Sequence, residues 1–406
     1  MIHVCFGLHD ATGRYSKFTG TAMLSLFDNT TSPVTVHILH DNTLTADNRN
    51  KFVYLAEQYD QRVKFYNVEI LCADRIAELL QAMPNIPNLP QSIATCYRFI
   101  IPELFPTEEK IIYLDSDIIV NLDIAELWQI ELDDAPLAAV PEVKSYVPTD
   151  YWHYLCRKGF VKREDFFNAG VLLMNLTRLR TESKALAEGL RFNAEHPDCD
   201  GNDQAVLNYC FATQAVKLPQ KFNVLVEYAR DNNDFVTVNR ICHYITSSRG
   251  RGFGLNTDDA FNRLWLRYFM CTPWFDEDTV GRLYNRVRQM HVDLKNSLAQ
   301  LSAMMSGKTR AFFAVPNDVN TIRQIFYVRP DEEIIPAEGQ ASFQKLINAM
   351  NASRGKKIFF ICVPNFPLGI LTQLGFVAGK DFVNGLDFLS EAHGVPLNPY
   401  PLIQAM

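Results

Sequence analysis

No two of the nine cysteines form a Cys-x-x-Cys pair, so the spacing of zinc ribbons and dithiol redox sites is absent. The neighbours of Cys210 and Cys362 are mostly apolar, the pattern of reduced core thiols in the cytosol. No run of about 18 apolar residues occurs, which excludes a helix spanning a membrane. The first eight residues, Met1 to Leu8, read as a strand and lack the basic and apolar regions of a secretory signal, so a cytoplasmic protein is expected. Positive charge is not in excess. The chain has 39 Lys and Arg against 46 Asp and Glu, a net charge of -7, and so lacks the basic footprint of a general nucleic-acid binder. A phosphate ligand stays compatible with that balance, because a bound cation reverses the local sign.

Apolar material is abundant. It makes up 48% of 406 residues, enough for a large core and, at about 150 residues per domain, for two or three domains. Residues 1–75 alternate strands (3–8, 34–40, 63–68) with helices (19–28, 46–58), a rhythm that predicts a parallel sheet covered by helices. Prolines make 83–92 a loop. A helix over 94–104 and a strand over 110–114 follow, and glycines make 250–254 a flexible loop.

The expected fold class is α/β, divided into a first domain over 1–260, a helical linker over 261–307 and a small α/β domain over 308–406. Within the linker, apolar residues from Val280 to Met305 recur every three or four positions. This seam packs on the body or on a second copy of the chain. Peripheral contact with the inner face of a membrane is the sharper reading, on Arg263, Arg267, Arg282, Arg286, Arg288, Trp265 and Trp274. Beyond Gly307, strands are expected at 310–315, 324–328, 357–363 and near Phe382, with helices at 343–351 and 370–374. That region has no GxGxxG and no Walker sequence.

Four segments carry the chemistry. In residues 111–120, Asp115-Ser116-Asp117 interrupts two apolar runs, at the carboxyl end of a predicted parallel strand where open α/β sheets bind ligands. At i and i+2 two carboxylates share a face and repel unless a cation lies between them. Mg²⁺ or Mn²⁺, completed by phosphate oxygens, suits such hard ligands; a solvated turn is the bland alternative. Residues 166–175 pair Asn168, an amide for sugar hydroxyls, with the small Ala169 and Gly170, where a ligand could approach the backbone. In 201–208, Asp203 and Gln204 open a helix, and Asp203 is equally a first-turn acid favoured by the helix dipole. In 241–250, His243 sits in an apolar strand. It is a core residue unless the fold brings it to the two aspartates, and Arg249 beyond it suits phosphate.

In this order the segments resemble the family 8 glycosyltransferases, a retaining group with a GT-A fold, over about residues 1–255. Ser92-Ile-Ala-Thr-Cys-Tyr-Arg98 with Phe99-Ile-Ile-Pro-Glu-Leu-Phe105, Leu127-Trp128 and Phe222-Asn223 are similar to further family segments. The resemblance implies a GT-A nucleotide-diphospho-sugar transferase domain. In it Asp115, Asp117 and His243 ligate Mn²⁺ (or Mg²⁺), and the loop from Gly7 through His9 to Asp10 cradles uridine. Arg98, Asn168 and Ala169 contact donor phosphate or sugar. Asp203 binds sugar hydroxyls, Gln204 lies beside the anomeric carbon, and Ser116, Thr246 and Arg249 complete the donor side. The chain departs from the family where His9-Asp10 stands for two acidic residues. In the closing motif Thr246 replaces Gly, Arg249 replaces Lys and Gly250 replaces Pro.

The implied reaction moves glucose or galactose from a UDP-sugar to a glycan or lipid-linked hydroxyl. The alternatives are a nucleotidyltransferase that makes the sugar nucleotide and a non-catalytic sugar-nucleotide scaffold. A nucleotidyltransferase would carry a compact Gly- and Arg-rich phosphate loop after the first strand; Gly7, Gly13, Arg14 and Gly20 are too dispersed to form one.

Overall fold

The structure, a computed structural model, describes residues 1–13, 15–83, 93–142, 153–199, 202–245, 259–276, 278, 280–282, 285, 288–289, 307–326, 328–364 and 366–386. Thr246, Arg249, the glycine loop at 250–254, nearly all of the proline loop and most of the 280–305 seam lie outside them. The chain divides into two compact units, Met1–Asp276 and Glu277–Met406.

In the first unit β1 (Ile2–Leu8), β2 (Val34–His40), β3 (Arg62–Asn67) and β4 (Lys110–Leu114) run parallel. All seven residues of β2 are buried, as expected for an interior strand covered on both faces, whereas β3 at the sheet edge is partly exposed. Helices Tyr15–Asn29 and Ala46–Gln58 make the crossovers, and Thr45 caps the second by accepting from the Asn48 N–H at 3.2 Å. A smaller sheet forms from β5 (Ile118–Asn121), β9 (Val224–Leu225) and β10 (Arg240–His243). The main sheet continues beyond β4 with β7 (Phe167–Asn175), β6 (Leu137–Pro141) and β8 (Val216–Lys217), in the order β3-β2-β1-β4-β7-β6-β8. Strand β7 is antiparallel to both β4 and β6, so β4 and β6 point the same way.

The expected helix over 94–104 is a 3₁₀ turn, Ile93–Phe99, followed by the short helix Ile101–Leu104. Pro102 forces that break, because it has no N–H to continue the first helix. The first unit also takes in helix Ala260–Phe269, which a boundary at 260 would leave to the linker. Tyr268 lies 2.7 Å from Asn29 Nδ2 and 3.1 Å from Asn121 Oδ1. Trp274 fills the space over Gly20, where a Cβ would come within 2.1 Å of its ring, and its indole donates to Asn48 Oδ1 at 2.8 Å. Trp265 and Trp274, placed at a lipid surface in the membrane reading, are both buried. Among the described residues no helix is long and apolar enough to cross a membrane.

The second unit is a parallel sheet in the order β12-β11-β13-β14: β11 (Thr309–Ala314), β12 (Glu333–Pro336), β13 (Lys357–Cys362) and β14 (Phe382–Asn384). The strand expected at 324–328 is not formed among the described residues. Helix Val319–Ile325 takes its first two positions, and the second strand comes later. Ile322 and Phe326, four apart, share a helical face and pack with Phe312 and Phe360.

Candidate active site

Strand β4 ends at Leu114 and the chain turns through Asp115-Ser116-Asp117 into β5. The Asp115 N–H donates to the Gly170 carbonyl of β7, and the Tyr244 N–H just past β10 donates to the Asp117 carbonyl, both at 2.8 Å. The turn is thereby clamped between two strands distant in sequence. Antiparallel pairing sets His243 opposite Ile118. Asp115, Asp117 and His243 then each offer a ligand atom, all within 4.8 Å of one another. His243 Nε2 lies 3.2 Å from Asp117 Oδ1 and 3.8 Å from Asp115 Oδ2. Gly170 makes this possible, since a Cβ there would sit 2.2 Å from His243 Cε1 and 2.8 Å from Asp115 Oδ2. The missing side chain admits the histidine rather than an external ligand.

Arg98 lies beneath the cluster, only 2% exposed. Its guanidinium donates to the Ala169 carbonyl (2.5 Å), the Tyr113 hydroxyl (3.0 Å) and Asp115 Oδ1 (2.8 Å), and its Nε lies 3.3 Å from Asp203 Oδ2. Burial works against its charge, but Asp203, Tyr113 and Asp115 outweigh that and hold it protonated. The Tyr113 hydroxyl donates to the same Asp115 oxygen at 3.0 Å. One oxygen of Asp115 is therefore fixed from below, and the other turns to His243. Burial also pushes the Asp203 carboxyl up to about 6, against the pull of Arg98. For His243, burial favours the neutral ring, yet Asp117 and Asp115 prevail and raise its pKa above the ordinary value. Three carboxylates against one guanidinium leave an anionic floor. Two carboxylates and an imidazole nitrogen directed at one point fit a divalent cation.

The cluster forms part of the wall of a cavity of about 430 Å³, together with Gly7, His9, Arg98, Ser116, Asn168, Ala169, Asp203 and Gln204. Ser116 Oγ is 2.8 Å from Thr19 Oγ1, which ties the turn to helix Tyr15–Asn29. Gly7 accommodates the protein itself, because a Cβ there would meet the Ala94 carbonyl oxygen at 2.6 Å. His9 Nδ1 is 2.5 Å from the buried Asp41. Burial pushes the Asp41 carboxyl up, but hydrogen bonds from Thr43 and His9 hold it below its usual value. Asp10 does not line the cavity. Its carboxylate caps helix Tyr15–Asn29, accepting from the N–H groups of Tyr15 (2.9 Å) and Ser16 (3.3 Å) and from Asn48 Nδ2 (2.9 Å).

Asn168 and Gln204 belong to a hydrogen-bonded chain of amides. Asn168 Oδ1 accepts from the Gly170 N–H (3.0 Å) and from Asn223 Nδ2 (2.8 Å). Gln204 Oε1 accepts from the Ala169 N–H (3.0 Å) and from Asn168 Nδ2 (3.1 Å). Helix Asn202–Phe211 is pinned to β7 through Asn208, which joins both backbone groups of Phe167 and the Gln204 carbonyl at 2.9 Å each.

Sequence reasoning misses Glu142, His153 and Tyr228, which also line the cavity. Glu142 Oε2 lies 2.9 Å from His153 Nε2 and accepts from Gln204 Nε2 at 3.4 Å. A signal for Glu142 exists. It follows the apolar strand β6 as Asp115 follows β4, and the two strands share a direction. His153 and Tyr228 carry no comparable mark.

The family profile described as glycosyl transferase family 8 matches residues 8–249. Glycosyltransferase GlyB of Streptococcus pneumoniae is 31% identical over 167 residues, 41% of this chain and 37% of that protein. A lipopolysaccharide 1,3-galactosyltransferase of Salmonella typhimurium is 27% identical over 205 residues, 49% of this chain and 56% of its own. The chain spans 37% and 30% of the lengths of GlyB and GlyE, so it covers about a third of these curated relatives. Among solved structures, the galactosyltransferase LgtC in complex with donor and acceptor sugar analogs superposes with a TM-score of 0.55 at 21% identity, covering 69% of this chain and 99% of that one. That likeness establishes the GT-A fold.

Proposed function

The chain belongs to glycosyl transferase family 8, and from that premise we propose that it transfers glucose or galactose from a UDP-sugar to a hydroxyl of a glycan or lipid-linked acceptor, with retention of configuration and with Mn²⁺ (or Mg²⁺). The observation that carries this reading is the convergence of Asp115, Asp117 and His243 in one cavity wall with Asp203 and Gln204. Asp115 Oδ2, Asp117 and His243 Nε2 would hold the cation, which when bound acts as a Lewis acid toward the leaving diphosphate. Arg98 and Tyr113 keep Asp115 turned toward that point.

The carbonyl of Gln204 already accepts two N–H groups, which supports its being a poor nucleophile. That favours a same-face displacement through an oxocarbenium-like state over a covalent intermediate. Asp203, held by Arg98 at 3.3 Å, is the charge that stabilises that state.

The test is UDP release across UDP-glucose, UDP-galactose and their N-acetyl forms. Turnover is expected with glucose or galactose and Mn²⁺, and its loss with a chelator. Asp115→Ala should abolish Mn²⁺-dependent UDP binding in calorimetry. Release that ignores the chelator, or a variant that binds like the wild type, would reject the assignment.

A further inference from the structure

We infer that Asn223, together with Asn168, is a positioning residue that orients both the cation-facing histidine and Gln204 through one buried chain of amides. The inference rests on the cation-site reading above and extends it to Asn223, which does not line the cavity.

The direction of every bond in the chain follows from two backbone groups. A peptide N–H can only donate. The Gly170 N–H therefore identifies the Asn168 atom it meets as the carbonyl oxygen, and the Ala169 N–H identifies the Gln204 atom in the same way. Asn223 meets the Asn168 oxygen at 2.8 Å, so it must do so with its NH₂ group. Its own oxygen then faces His243 Nδ1 at 2.9 Å, and that nitrogen must carry a hydrogen. With Nδ1 protonated, Nε2 is the nitrogen left to direct a lone pair at a cation beside Asp117. At the other end, Asn168 Nδ2 and the Ala169 N–H occupy the Gln204 oxygen, and Gln204 Nε2 is left pointing to Glu142. Asn223 is 1% exposed and Asn168 is also buried, so water does not readily replace either link.

Two variants separate the two halves of this role. Asn223→Ala removes both links. Asn223→Asp keeps an oxygen for His243 Nδ1–H but cannot donate to Asn168. Mn²⁺ affinity is measured by loss of the free-ion signal in electron paramagnetic resonance, on full-length protein with and without UDP. Turnover is measured as UDP release, and thermal melting verifies that each variant is folded.

For Asn223→Ala, Mn²⁺ affinity should fall about 10- to 100-fold. For Asn223→Asp, Mn²⁺ affinity should stay within about threefold of the wild type, as the retained second-shell acceptor requires. Its kcat should nevertheless fall about 10- to 100-fold, because Gln204 loses its orientation. A purely structural asparagine would move neither ratio selectively.

If Asn223→Asp binds Mn²⁺ as weakly as Asn223→Ala, the claim on histidine orientation is overturned. If Asn223→Asp turns over at the wild-type rate, the link to Gln204 is overturned. A wild-type protein that binds no Mn²⁺ overturns the cation site and this inference together. A wild type that binds, with Asn223→Ala binding equally well, overturns the inference alone.

Discussion

At Gly170 the smallest possible addition has no room. A methyl group there would stand 2.2 Å from His243 Cε1 and 2.8 Å from both His243 Nδ1 and Asp115 Oδ2. The backbone of β7 is held by β4 and β6 and cannot retreat, so the histidine must move. Gly170→Ala is therefore expected to remain folded, at a cost of about 1–3 kcal/mol for overpacking, and to lose Mn²⁺-dependent UDP binding. A melting curve and a calorimetric titration check the two parts; full binding in a folded variant would contradict the packing argument. The same residue shows what a sequence alone conceals. A glycine two residues after Asn168 is readable as a place for close approach, but whether a ligand or a histidine makes the approach depends on β10, about seventy residues away. Arg98 makes the point in a second way. The family resemblance assigns it to donor phosphate or sugar, and its hydrogen bonds to Ala169, Tyr113 and Asp115 also make it the support under the carboxylates.

Between elements, the decisive joint is that of helix Asn202–Phe211 on β7. Strand pairing alone leaves this end of β7 loosely specified, because the register with β6 shifts between Ala139 and Pro141, and Pro141 faces Phe167. Proline cannot donate to a ladder. Asn208 substitutes for the missing rung by accepting from the Phe167 N–H and donating to its carbonyl. The side chain is fully buried. Asn208→Ala leaves those backbone groups without their partner, a loss of about 1–3 kcal/mol for a buried polar group. A lower urea midpoint should accompany a weaker Gln204 contact, read as a fall in kcat beyond any fall in donor affinity. An unchanged midpoint would show that the ladder suffices without Asn208. The asparagine is visible in the sequence as the last residue of the 201–208 segment, but a helix interior assigns it no partner; the partner comes from a strand about forty residues earlier.

Across the molecule, the response to acid is set partly by the buried His37 and the half-buried His3, neither of which lines the cavity. His3 on β1 and His37 on β2 meet at 3.0 Å, and the His37 Nδ1 lies 3.1 Å from the Tyr66 hydroxyl of β3. Burial drives the His37 pKa down to about 3 from an ordinary 6.5, with His3 adding to the effect. His3 is lowered too, chiefly by burial. A depressed folded pKa means that the unfolded chain takes up the proton first as the pH falls. Stability is thus complete above pH 6.5 and drains away toward pH 3, by about 1.4 kcal/mol per pH unit for a fully buried histidine. Denaturant unfolding of the wild type at pH 7.5 and pH 5 should show that loss, and His37→Gln should reduce it by about 2 kcal/mol. Equal losses in both proteins would locate the acid sensitivity elsewhere.

The sequence by itself determined the parallel β-α-β opening, the apolar strands flanking Asp115 and Asp117, and the family to which the chain belongs. These are local matters of period, propensity and motif order, written within a few residues of one another. Tertiary structure alone decided which groups meet. Register set His243 beside the aspartates, Asp10 turned away to cap a helix, and the common direction of β4 and β6 brought Glu142 to the cavity. The physical reason is that a hydrogen bond or an ion pair acts across a few ångströms of space, and only the paired strands convert distance along the chain into that proximity.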